Sequence, residues 1–231
     1  MVSGDSLAIG ATKAAFSDKN AGTGKGVTIS SLTLGGLDAA NYTLASSTAT
    51  GTGSITPKAL TITGMSAVNK IYDGSTKATL SGGSISGLVG SESFSITNTS
   101  GLFNASDISA SSVSATLAAG DFSAGAATFA SNYILPVSAT GTGSITAKAL
   151  TATLTGVSKV YDGDTAAVLN GANYQLVGLV GGQSASVSQA AGLYNSADVL
   201  GANSVSASLS GANFAAGGGT SLANYILPTM A

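Results

Sequence analysis

The sequence predicts an all-β protein assembled from tandem small modules. Three observations predict it: apolar and polar residues alternate with period two, Gly, Ser and Asn clusters punctuate those runs, and a long segment recurs about ninety positions later. No ten-residue stretch carries a convincing helical period. An antiparallel sandwich of the immunoglobulin type fits the strand number and module size best. A β-grasp-like module with one short helix is the alternative.

Taken along the chain, the alternation first becomes clear where Leu60 and Ile62 are interleaved with Thr61 and Thr63. Phe94 and Ile96 then alternate with serine and threonine, and Val113, Ala115 and Leu117 follow in the same way. Leu150 and Ala152, then Val205, Ala207 and Leu209, repeat the pattern. Each run predicts a strand with one buried face. Between them, "NASDIS" and "NSADVL" leave room for a single helical turn, with Asn104 or Asn195 as its cap.

The repeat sets the domain organisation. "GTGSITPKALTITG" begins at Gly51 and "GTGSITAKALTATL" at Gly141. "GLVGSESFSITNTSGLFNASD" from Gly87 answers to "GLVGGQSASVSQAAGLYNSAD" from Gly178, and "NYILP" occurs at Asn132 and Asn224. A shorter copy at the front carries Phe16, Asn41, Tyr42 and the GTGSIT close. We therefore expect a partial module at 1–56, a complete one at 57–146 and one at 147–231 that lacks its last strand. A unit of this length has the size of a small domain rather than a solenoid coil. The short joins at Thr56-Pro57 and Thr146-Ala147 suggest beads in a row.

Composition removes most chemistry. The chain has no Cys or His, so it offers no Ser-His-Asp or Cys-His nucleophile, histidine-held metal or disulfide. Only 8% of residues are charged and the net charge is −2, which provides no basic surface for nucleic acid. No apolar run is long enough to span a bilayer, so membrane insertion is not expected. The N-terminus has no basic region followed by an apolar core, and the chain reads as an internal piece of something longer.

"KIYDGSTKATL" from Lys70 and "KVYDGDTAAVL" from Lys159 raise the question of a duplicated site. One carboxylate per copy, Asp73 or Asp162, falls far short of a calcium shell, and Asp164 is matched by Ser75. The better reading is a turn, in which Asp accepts backbone N–H groups while Gly74 or Gly163 takes positive φ. Tyr72 and Tyr161, like Tyr42, Tyr133 and Tyr225, are expected in the core or at corners. Asn41, Asn132 and Asn224, each preceding a tyrosine, are expected at turns or strand starts.

The ordered set of KAL, YDG, GLVG, GLF or GLYN, NY-x-L and GTGSIT resembles the YDG-type repeat of very large filamentous-haemagglutinin-like adhesins of Gram-negative bacteria. The resemblance is densest over residues 16 to 44 and covers essentially the whole chain. It implies a repeat or stalk region of a secreted, surface-displayed protein that has no catalytic activity and needs no cofactor. Its expected partners are neighbouring modules of the same chain. Self-association through exposed strand edges and weak multivalent binding of a glycan or receptor are the alternatives. A Lys–Asn isopeptide bond, drawing on Lys58 or Lys148 and Asn132 or Asn224, would need an apolar pocket and an adjacent acid.

Overall fold

The computed structural model describes all 231 residues, Met1–Ala231. The protein is all-β: short strands joined by turns, with 3₁₀ turns of three residues as its only helical elements. It forms two compact units. The first comprises Met1–Thr63, Gly83–Asn98 and Leu117–Val137, and the second Gly64–Gly82, Thr99–Thr116 and Ser138–Ala231. Their boundary runs through the middle repeat, so each unit joins part of that repeat to one of the flanking repeats.

In the first unit, Ala8–Phe16, Gly22–Gly35 and Thr48–Ile55 form an antiparallel sheet with Gly22–Gly35 in the middle. Ala8–Phe16 is exposed along its whole length. Phe122–Ala124 pairs antiparallel with Phe94–Ile96. In the second unit, Ser112–Thr116 pairs antiparallel with Ser138–Thr142 and Ser100–Phe103, within a small closed barrel. Val113 and Ala115 point into its core at 2% and 5% exposure, with Phe103 at 3%, so the period-two alternation is realised as burial.

The third repeat packs two small cores. One gathers Ala167, Leu169 and Ala207, and the other Val187, Leu209 and Phe214; Tyr174 touches both. With so few aromatic residues, each such ring supplies a large share of the apolar area available for burial.

Most ladders are antiparallel, as the patterning predicts, but four short parallel pairs are interleaved with them. Two of these are the same pairing in successive repeats: Lys58–Ala59 beside Tyr133–Ile134, and Lys148–Ala149 beside Tyr225–Ile226. The KAL motif is therefore the partner of the NYI motif. GLVG packs over the same place, since a Cβ on Gly87 would lie 3.1 Å from the Ala59 carbonyl oxygen, and one on Gly178 would lie 2.9 Å from that of Ala149.

The expected helical turns at NASDIS and NSADVL are instead bends and hydrogen-bonded turns. Asn104 Oδ1 accepts the N–H groups of Ser111 and Ser112, both at 3.0 Å, and Asn195 Oδ1 those of Asn203 and Ser204 at the same distance. Each carboxamide closes its loop from the far end, which leaves it unavailable as a helix cap.

Candidate functional site

The YDG motif folds as a corner held by the lysine three residues before its aspartate. Lys70 Nζ lies 2.8 Å from Asp73 Oδ1 and donates to the Ser75 carbonyl at 2.7 Å. Lys159 repeats this arrangement, 2.7 Å from Asp162 and 2.6 Å from the Asp164 carbonyl. Asp73 Oδ1 also accepts the Ser75 N–H at 2.8 Å, and Asp162 Oδ1 the Asp164 N–H at 3.1 Å. Gly74 and Gly163 both take φ 78°, where a side chain would be strained. The lysine ammonium stands over an aromatic ring in each copy, 5.6 Å from Phe103 or 5.7 Å from Tyr194. This explains the fixed spacing of Lys, Asp and Gly. Asp164 turns away and accepts the Ala166 N–H at 2.8 Å.

The electrostatics follow from these bonds. Burial works to raise Asp73, but the hydrogen bonds from Lys70 and Ser75 outweigh it and hold the carboxyl below its ordinary value. Asp162 is lowered chiefly by Lys159, Asp18 chiefly by Lys25 and Asp107 chiefly by Ser109. A folded value below the unfolded one means stability that is present above the unfolded pKa and is lost as pH falls through the folded one. The chain has no His. The urea midpoint is therefore expected to stay flat from about pH 5 to 7 and to fall below about pH 4. A midpoint that moves between pH 5 and 7 would contradict this.

A second corner recurs three times around tyrosine. The Tyr42 hydroxyl accepts the Val2 N–H at 2.8 Å and donates to Asp5. The Tyr133 hydroxyl accepts the Val89 N–H at 3.0 Å and donates to Glu92. That of Tyr225 accepts the Val180 N–H at 2.9 Å and donates to Gln183. The bond to Glu92, with partial desolvation, pushes the Tyr133 phenol upward. Each tyrosine directly follows a 3₁₀ turn ending in Asn41, Asn132 or Asn224 and is itself extended. The asparagine is thus a turn residue, as its place before the tyrosine predicts.

The asparagines of these turns do more than shape them. Elsewhere a turn-ending residue caps its own turn: Asn173 accepts the Asn170 N–H at 2.9 Å, and Asn213 the Ser210 N–H at 2.8 Å. Asn132 Oδ1 instead accepts the N–H of Ala21, in the preceding repeat, at 2.8 Å, and its Nδ2 donates to Asn20 at 3.1 Å. Asn224, 4% exposed, accepts the Ile108 N–H, again in the preceding repeat, at 3.2 Å.

The two kinds of corner meet where the middle and third repeats adjoin, inside the second unit. The rings of Tyr72 and Tyr225 pack edge to face at 5.4 Å. Gln183 bridges them, since it accepts from the Tyr225 hydroxyl and donates from Nε2 to the Tyr72 hydroxyl at 2.6 Å. A Cβ on Gly74 would lie 3.1 Å from Val180 Cγ1. In the first unit the residue matching Gln183 is Glu92, and there the preceding repeat presents Lys19 Nζ at 3.9 Å. A neutral amide meets a phenol, and a carboxylate meets an ammonium.

Tyr72 is accordingly 5% exposed, but Tyr161 is 63% exposed, which corrects the expectation that both are core or corner anchors. Tyr72 is covered by residues of the next repeat, and Tyr161 has no such cover within this chain. Sequence reasoning also missed Lys70, Lys159, Glu92 and Gln183. Their signals were a lysine three residues before each YDG aspartate and a hydrogen-bonding residue three after each corner valine. Lys58, Glu92 and Asn132 line one cleft, but the Asn132 amide is engaged by Ala21 and Asn20, and the third repeat has Gln183 in place of the acid. No group of three or more acidic side chains is placed to hold a metal ion.

The family model of the YDG domain matches residues 1–50, 56–142 and 146–231. The chain belongs to the YDG domain family. The Tyr-Asp-Gly corner just described lies in the two later matched stretches, at Tyr72–Gly74 and Tyr161–Gly163. No curated protein and no solved structure matches the chain.

Proposed function

We propose that these YDG domains form a non-catalytic repeat segment of a secreted, surface-displayed adhesin of a Gram-negative bacterium, a spacer that projects or supports adhesion. The observation that carries this reading is the recurrent joint. Asn132 and Asn224 each reach into the preceding repeat, and Glu92 and Gln183 each meet a polar partner there. A linear array needs a contact that each repeat can make with the one before it. Weak charge suits a surface-displayed array that touches other surfaces without strong fields, and no helix is long and apolar enough to cross a membrane. No cofactor is required.

Small-angle scattering of the chain should show an elongated particle, and incubation with polysaccharides should release no reducing ends. A compact particle, or new reducing ends, would overturn the spacer reading. A second reading, association through strand edges, is favoured by the exposed edge strand Ala8–Phe16.

A further inference from the structure

Asp is followed by Gly at Asp73-Gly74 and Asp162-Gly163 and nowhere else in the chain. The turn requires that glycine, because its φ of 78° strains any side chain. A glycine after aspartate has a chemical cost, since no side chain shields its nitrogen from the neighbouring carboxyl. That nitrogen can attack Asp Cγ. The new C–N bond forms as the carboxyl's hydroxyl departs with the nitrogen's proton as water, and a succinimide ring closes. Water then adds to one of the two ring carbonyls and reopens the ring as aspartate or as isoaspartate, which carries one more carbon in the main chain. Only the protonated carboxyl has a hydroxyl to lose, so the ionised form does not cyclise this way.

We infer that Lys70 and Lys159 are protective residues, which keep the Asp-Gly peptides of the two corners from closing to a succinimide and isomerising to isoaspartate. The geometry is that of a guard. Lys70 Nζ stands 2.8 Å from Asp73 Oδ1 and Lys159 Nζ 2.7 Å from Asp162 Oδ1, and each ammonium is anchored a second time, to the Ser75 or Asp164 carbonyl. The same carboxylate oxygen accepts the N–H one residue beyond the glycine, and Asp73 Oδ1 also accepts the Ser75 hydroxyl at 3.0 Å. Cyclisation must break these bonds and protonate the carboxyl they hold. Both carboxyls accordingly lie below the ordinary aspartate value. The other charged groups at the corners are Lys77, which borders the groove beside Asp73, and Asp164, which is turned to the Ala166 N–H. The inference rests on the chemistry of the corner and does not depend on the spacer role.

Peptide mapping of isoaspartate in the folded chain, aged at neutral pH, tests it with Lys70→Met and Lys159→Met. The aspartate side chains are 54% and 56% exposed, so each ion pair is of the modest, partly solvated kind. Each variant should therefore accumulate isoaspartate about threefold or more faster at its own corner, with the other corner unchanged. Lys70→Arg and Lys159→Arg, which keep the charge, should stay close to the unaltered chain. In the isolated peptide KIYDGSTKATL, where no clip is formed, the same change of its first lysine to methionine should make no difference. Hydrogen exchange of the Ser75 and Asp164 amides reports whether the turn itself persists in each variant. Methionine variants that age no faster than the unaltered chain overturn the inference. So does a rise at both corners in one variant, or a rise that occurs only where the turn amide has also lost its protection, since either marks loosening rather than loss of the guard.

Discussion

Replacing Gly141 by alanine should destabilise the protein by about 3 kcal/mol or more, the upper range for overpacking a filled site. The same change at Gly51, the matching position of the first GTGSIT copy, should cost less than about 0.5 kcal/mol. The difference lies in what each glycine faces. A Cβ on Gly141 would stand 2.0 Å from the Met65 carbonyl oxygen and 2.5 Å from its carbon, whereas one on Gly51 meets nothing within 4 Å. Gly141 belongs to Ser138–Thr142, which runs parallel to Thr61–Ala67 with Gly141 opposite Met65. Backbone cannot swing aside as a flexible side chain can, so the strands must part. Gly51 lies on Thr48–Ile55, whose only sheet neighbour is Gly22–Gly35. Urea midpoints of the two variants check this; equal shifts would contradict it.

The second large effect separates the two YDG tyrosines. Tyr72→Ala should cost about 3–5 kcal/mol, the range for removing a large buried aromatic side chain. Tyr161→Ala, measured at concentrations where the chain is monomeric, should cost less than about 0.5 kcal/mol. Tyr72 loses its contact with the Tyr225 ring and leaves Gln183 Nε2 without its partner at a part-buried site. Tyr161 has little buried area to lose. Thermal or urea unfolding of both variants decides the matter, and a severe loss of stability in Tyr161→Ala would sink this account of the corner.

How much of this was legible in the sequence follows from the range of each interaction. The alternation of Val113 with Ala115, and of Ala207 with Leu209, is local and appears directly as burial. The Asp-Gly turn is local too, since Asp73 and Asp162 bind N–H groups two residues on. The parallel pairing of Lys58 with Tyr133 joins segments far apart in the chain and leaves no mark on either strand's pattern. At Asn104 and Asn195 the sequence leaves a helical turn open because the same asparagine can cap a turn or close a loop, and here it closes the loop. Tyr161 was misjudged for a different reason: its motif is nearly identical to that of Tyr72, and its exposure depends on what packs next. Asn224 and Asn213 likewise both end a 3₁₀ turn before an aromatic residue, yet one reaches into the preceding repeat and the other caps its own turn.

The central claim is that the YDG corner is the place where one repeat receives the next. A double-mutant cycle between Tyr72 and Tyr225 tests it most directly, with each residue changed to alanine singly and together and stability read from urea unfolding. Ring contact and the shared Gln183 predict that the two losses fall short of additivity by about 1 kcal/mol or more. Losses that add within about 0.3 kcal/mol would show the two tyrosines to be independent and would contradict the claim.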